Sequence, residues 1–459
     1  MRFILKRRDY TTGFQSPAPM LYFAKTMKPA IKQLLFLLAV TLAFSVLFQE
    51  IGKYYEVRGN QSALEHGIWI FTDTIGDDSW RPMRLALDHW TESQRQALIY
   101  SDLLIGKRVK FQYPPTAILI SKFMDANQIG ILEFSTVTTY IFLFLMIAGV
   151  VSISLHQYRD YGGAPLSLFE KIMLGILLAL LLFTFYPVVK AGTLGQIQVW
   201  LNALFAVAIL CYMTGRETLA GILLGIMASI KPQYALFVLW GLFRGNKRMV
   251  IAMIVTGALG LLAGVLEFGV ANYADYLRGL GYLSQHGEAY YSNQSFNGLA
   301  NRFFSVNYPE DFNNLKWRGY YFPPYNRWVF GFTQATSMAL IVIALLKGRN
   351  PQKEARLVDF LLMGLGATMA SPIAWEHHYG VLFPIFVCIW LMLWFGDGNK
   401  PDWRKTLFIG CYLISANNIP AFNALAGTYF NFLQSYLLFA ACGVFMLLLY
   451  IKYKPLRNL

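Results

Sequence analysis

Residues 219–243 read LAGILLGIMASIKPQYALFVLWGLF, an apolar run whose one charged residue, Lys231, sits at its middle and is followed by Pro232. Arg216 and Arg244 flank it. Basic residues beside apolar runs collect on the cytoplasmic side of a membrane, so both ends of this run belong on one side and the chain must turn back within it. Proline removes a helical hydrogen bond where the turn falls, and irregular backbone at membrane depth survives only against protein or a wet cavity. The stretch is expected to form a re-entrant hairpin, two short helices meeting at a polar tip. An ammonium placed there costs about 3 kcal/mol on insertion scales unless it meets an anion or water. Lys231 is therefore the sharpest single candidate for a functional residue.

The surrounding sequence gives the hairpin its setting. The 459 residues are 56% apolar and only 14% charged, where a soluble chain carries about 25% charged residues. Apolar runs long enough to span a hydrocarbon core of about 30 Å recur along the whole chain. Full spans are expected near 34–50, 134–154, 172–189, 197–213, 249–268, 329–346, 358–372, 379–396, 404–419 and 430–451. This describes an all-α polytopic membrane bundle of about ten spans plus re-entrant helices. Residues 1–33 form a basic cytoplasmic N-terminus, and 34–459 a single transmembrane domain. The first apolar run starts late and lacks a small-residue cleavage site, so it reads as a span and not a signal peptide.

The net charge of +14 does not point to nucleic acid, because its basic residues cluster between spans in the positive-inside pattern. Lys6, Arg7, Arg8, Lys25, Lys28 and Lys32 precede the first span; Arg244, Lys247 and Arg248 form a second group; Lys347, Arg349, Lys353 and Arg356 a third; Lys452, Lys454 and Arg457 close the chain. The apolar stretch 114–124 is short and contains Lys122. A crossing there would turn these groups outward, so it is expected to be a re-entrant or interfacial helix. Two long segments then fall outside, 50–133 with that helix and 269–328, and are expected to cap the bundle over an aqueous cavity. The four cysteines lie in apolar runs at scattered spacing and read as small buried side chains.

Polar residues gather in these outside segments. Asp77 and Asp78 are adjacent carboxylates in the first, and Asp88 follows in the same amphipathic stretch. A carboxylate facing a cavity can act as a general base. Tyr113 precedes a Pro-Pro step after Lys110, and Gln196 opens an apolar run after a short uncharged turn. Asn293, Gln294 and Arg302 in the second outside segment suit polyhydroxy and phosphate ligands. Trp375, His377 and His378 lie between two spans. Adjacent histidines lack the i, i+4 spacing of a metal pair, so no metal is assigned and the pair is expected to donate hydrogen bonds to an anion.

In order along the chain, Gly195-Gln196-Ile197-Gln198, Leu219 to Gly225, Ser229-Ile230-Lys231-Pro232, Asn293-Gln294-Ser295 with Gly298 and Arg302, and Ser371-Pro372 to Trp375-Glu376-His377-His378 resemble the motifs of glycosyltransferase family 87. Gln198 stands where the family has Asn, and Ala374 where it has Ser. The resemblance implies a C-type membrane glycosyltransferase, α-mannosyltransferase-like, that takes a mannose-like or other sugar from a polyprenyl phosphate to an outward-facing lipid or glycan with inversion. It implies no cofactor, a partner set of lipid-linked donor, acceptor and membrane lipid, and a site on the periplasmic or exterior face of the inner (plasma) membrane. Asp78, then Asp77, is the expected base. Lys231, His377, His378 and Arg302 are the expected phosphate ligands; Tyr113, Gln196, Asn293, Gln294 and Trp375 the other substrate contacts. A transporter or flippase for a lipid-linked saccharide, or a surface-polysaccharide polymerase or ligase, is the rival reading; broken helices with midplane polar residues occur in transporters too, but no internal repeat is present.

Overall fold

A computed structural model describes residues 28–56, 61–304, 322–347, 353–396, 402–426 and 428–451. The expected basic residues Lys6, Arg7, Arg8, Lys25, Arg349, Lys452, Lys454 and Arg457 lie outside them, as do positions 305–321 of the second outside segment. Each regular element among the described residues is helical, apart from a lone antiparallel bridge between Asn293 and Trp375.

The chain runs through α1 (Pro29–Tyr54), α2 (Ala63–Thr72), α3 (Trp80–Glu92), α4 (Pro115–Ala126), α5 (Ile131–Asp160), α6 (Leu168–Phe183), α7 (Tyr186–Thr193), α8 (Gln198–Met213) and α9 (Glu217–Ile230). It continues through α10 (Leu236–Phe243), α11 (Lys247–His286), α12 (Phe296–Phe304), α13 (Arg327–Leu346), α14 (Lys353–Met369), α15 (Leu382–Leu391), α16 (Trp403–Ala416) and α17 (Tyr436–Tyr450). Local chemistry sets many of the starts. Ser62 with Glu65 and Ser167 with Glu170 form capping boxes at α2 and α6, each satisfying two otherwise orphaned backbone N–H groups. Asp402 caps α16. Prolines occupy the first turns of α1, α4 and α7, where no backbone donor is needed.

Among the described residues, six helical stretches are long and apolar enough to cross a membrane, or seven if α6 and α7, bent by 68° at their junction, make one span. The expectation of about ten full spans is not reached. The segments expected at 197–213, 358–372 and 404–419 form helices of 16, 17 and 14 residues, and that expected at 172–189 breaks at Thr184-Phe185, ahead of Pro187. Apolar composition alone does not separate a buried short helix from a lipid-crossing one. Burial does separate the six long stretches. In α1, α11 and α13, 22% of the apolar window is buried, against 83% for Glu376–Gly396. That last stretch is the central post of the bundle, and the others turn apolar side chains such as Ile251, Leu259 and Leu266 outward.

The stretch 219–243 breaks at Lys231, whose backbone is extended between α9 and the 3-10 turn Pro232–Ala235. Both halves pack on α11. A Cβ at Gly221 would meet Met249, and one at Gly225 would meet Met253 and Thr256. Ser229 approaches Gly260, and Gly241 then returns to Met249 and Val250. The chain therefore reverses direction at Lys231. The glycines of α9 let the helix backbones approach to a distance that any side chain would prevent, the usual device for helix packing in membranes.

Candidate active site

A cavity of about 840 Å³ lies where the Lys231 tip, the loops around residues 77 and 107–113, and the 371–378 loop converge. It is lined by Asp77, Asp78, Lys231, His377 and His378, and also by Tyr113, Gln196 and Trp375.

The Asp78 side of the cavity is built on the turn after α7. Gly76 N–H donates to Thr193 O at 2.9 Å and Asp78 N–H to Leu194 O at 3.0 Å. Gly195 makes this possible. It has φ +63°, and a Cβ on it would stand 1.8 Å from Gly76 O, so both the left-handed backbone and the close approach require glycine. Ser79 then locks three segments together: its hydroxyl donates to Gln196 Oε1 at 2.8 Å, accepts from Ile197 N–H at 2.9 Å, and lies 2.8 Å from Tyr113 Oη. Gln196 and Tyr113 thus hold the carboxylate-bearing loop. Gln196 also reaches the carboxylate itself, with Nε2 3.4 Å from Asp78 Oδ2.

The two carboxylates differ in their partners. Asp77 is the acceptor of a paired contact from Arg81, one helical turn on, at 2.8 and 3.0 Å. Among the described residues the Asp78 carboxylate has only the amide of Gln196 as a hydrogen-bond partner, and both aspartates line the cavity. Enclosure by protein pushes the Asp78 carboxyl above the usual aspartate range; Gln196 and the positive charge of Lys190 oppose that rise. Asp88, on α3, is not among the cavity-lining residues.

Lys231 is one of the cations in the cavity wall, with Arg81, Lys107, Arg108 and Lys110. Its ammonium donates to Gln198 Oε1 at 2.7 Å and lies 2.6 Å from His378 Nε2. Gln198 is itself held by Asn202, with Nε2 donating to Oδ1 at 2.9 Å. Among the described residues no carboxylate pairs with Lys231, and the side chain is 9% exposed. His377 stands edge-on to both Trp375 and His378, with ring centroids 5.5 and 4.8 Å away.

Three expected ligands are placed elsewhere. Arg302 is fully buried and turns its guanidinium to the backbone carbonyls of Tyr290 and Asn293, at 3.0 and 2.9 Å, and to Ser435 Oγ at 2.6 Å. Asn293 donates to Glu288 O and accepts from Ala374 N–H, and Gln294 braces the start of α17. None of the three lines the cavity. They brace the second outside segment, Asn293 against the 371–378 loop and Gln294 and Arg302 against the start of α17.

One cluster has no counterpart in the sequence reading. Lys110 and Glu288 form a buried ion pair between the two outside segments. Glu288 also accepts from Trp375 Nε1 at 2.6 Å, and the Lys110 ammonium sits 4.4 Å from the Trp375 ring centroid. Trp375 is thereby fixed in the cavity wall from two directions, by its N–H and by a cation–π contact. The signal available beforehand was Lys110 beside aromatic residues; its partner lies 178 positions away.

The model of glycosyltransferase family 87 matches residues 111–372. No curated protein and no solved structure matches the chain.

Proposed function

The chain belongs to glycosyltransferase family 87, and from that premise we propose that it transfers a sugar from a polyprenyl phosphate to an outward-facing lipid or glycan, with inversion at the anomeric carbon. The observation that carries this reading is the pairing of opposite chemistries across one chamber. Among the described residues, Asp78 faces the cavity with no cation bonded to it, and Lys231 faces the same cavity with no carboxylate bonded to it.

The chemistry follows from that separation. Asp78 accepts the proton of the acceptor hydroxyl as its oxygen attacks the anomeric carbon. The bond from that carbon to the phosphate oxygen breaks, and its electron pair leaves with the lipid phosphate. Lys231, with His377 and His378 beside it, stabilises the charge that develops there. A buried ammonium without an anion is the right partner for an incoming one: desolvation has already been met, and the phosphate completes the pair. Trp375, Tyr113 and Gln196 line the space between, where the sugar would lie. The acceptor class and the mannose-like donor remain part of this proposal, as do an active site facing the periplasm or exterior of an inner (plasma) membrane and the placement of 219–243 as a re-entrant hairpin.

The test is transfer from radiolabelled polyprenyl-phosphate mannose in membranes carrying the full chain. Asp78→Asn keeps shape and loses the basic oxygen; it is expected to abolish transfer while Asp77→Asn retains it. Full transfer by Asp78→Asn would remove the base from the scheme.

A further inference from the structure

Behind the cavity wall lies a second set of charges that the scheme above leaves unused. Lys190 is on α7, a short apolar helix, and Glu376 precedes the two histidines; neither is among the cavity-lining residues. Glu376 is 2% exposed. Its Oε2 accepts from Tyr186 Oη and Ser292 Oγ, both at 3.2 Å, and its Oε1 is buried with no hydrogen-bond partner. A buried carboxylate oxygen left in this way needs a cation or another donor nearby.

Spacing along α7 supplies the cation. Tyr186, Lys190 and Leu194 are four residues apart, so they share one face of the helix and its C-terminal turn. Tyr186 touches Glu376 at one end of this stripe. At the other, Leu194 O accepts the backbone N–H of Asp78. Lys190 stands between them on that stripe.

We propose that Lys190 is a positioning residue for the reaction: from behind the cavity wall its ammonium couples Asp78 to Glu376 and so matches the charge of the base to that of the histidine loop. The proposal rests on the assignment of Asp78 as base. Other charged and titratable groups also face these residues. Asp77 and Arg81 lie near Asp78 on its own segment, and Lys110 and Tyr113 approach from the next loop. His66 and His377 are near Lys190, and Arg302, Tyr291 and Tyr436 are near Glu376. Among the cations, Lys190 is the one carried on the same helical turn that holds the Asp78 backbone.

The coupling can be read without any sugar donor. Dicyclohexylcarbodiimide reacts with protonated carboxyl groups in apolar surroundings, and mass spectrometry of the Asp78 peptide from full-length protein in membranes gives the pH midpoint of labelling. Lys190→Met removes a cation that favours ionised Asp78, so the midpoint is expected to move to higher pH, and Lys190→Arg to restore it. Glu376→Gln leaves the Lys190 charge unopposed, so the midpoint is expected to move to lower pH. This second variant serves if Lys190→Met does not fold. A merely structural role for Lys190 would not move the two midpoints in opposite directions. A midpoint left at the wild-type pH by either folded variant overturns the coupling. If Asp78→Asn is inactive in that case, the base assignment still stands; if Asp78→Asn is active, it is the base assignment that has failed.

Discussion

Replacing Lys231 by Met tests the anion site with the least disturbance to the fold. Methionine fills a similar volume and removes the charge, but it leaves Gln198 Oε1 and His378 Nε2 without their donor, a cost of about 1–3 kcal/mol. Thermal unfolding of the variant is therefore measured first, and the loss of donor binding is read on folded protein. The ammonium has three protons, and Gln198 and His378 occupy two of its directions at 2.7 and 2.6 Å. One direction is left for a phosphate oxygen. A hydrogen bond to a charged group contributes about 1.5–3 kcal/mol, which corresponds to roughly 10- to 150-fold in donor affinity. The transition state carries more charge on the leaving oxygen, so the rate should fall further, by about 10²–10³ in total if Lys231 acts as oxyanion-hole donors do. Lys231→Arg should not rescue it, because the planar guanidinium cannot occupy the point-charge position between Gln198 and His378. The assay is competition binding of lipid-linked mannose followed by single-turnover transfer. Donor affinity within twofold of wild type in a folded Lys231→Met protein would refute the phosphate assignment.

Other consequences can be checked on the same material. Gly195→Ala should lower the unfolding temperature of the solubilised protein, since its Cβ would meet Gly76 O at 1.8 Å on a backbone with φ +63°; such strain costs on the order of 1–3 kcal/mol before the clash is counted. Glu288→Gln should destabilise by about 3–5 kcal/mol by leaving Lys110 buried without its anion, and adding Lys110→Met should recover most of the lost thermal stability. The transfer rate should rise with pH through a midpoint above the usual aspartate range. Asp78 must be ionised to accept a proton, and enclosure holds its carboxyl up; a rate already at its plateau at the ordinary aspartate pKa would contradict this.

The reversal at Lys231 was legible because a charge inside an apolar run, with basic residues on both flanks, has few physical solutions. Lys190 is less legible, because the apolar run 172–189 reads as one span and its bend at Thr184-Phe185 hides the position of that lysine. The number of spans was not legible, since α8 is apolar enough to cross but is only 16 residues long. Arg302 shows a different limit. Its side chain identifies a donor of several hydrogen bonds without saying to whom, and here the acceptors are backbone carbonyls of its own loop and the distant Ser435 hydroxyl. Between the two adjacent aspartates, the distinguishing signal was present in the sequence: Arg81 is placed one helical turn after Asp77 and pairs with it, whereas Asp78, which lines the same cavity, has no such cationic partner among the described residues.

The most direct measurement is a density map of the Asp78→Asn protein with polyprenyl-phosphate mannose bound and not turned over. The account predicts the phosphate within hydrogen-bonding distance of the Lys231 ammonium, about 2.7–3.2 Å, with the anomeric carbon open toward residue 78. A phosphate seated away from Lys231, or a sugar whose anomeric face is turned from residue 78, would contradict it.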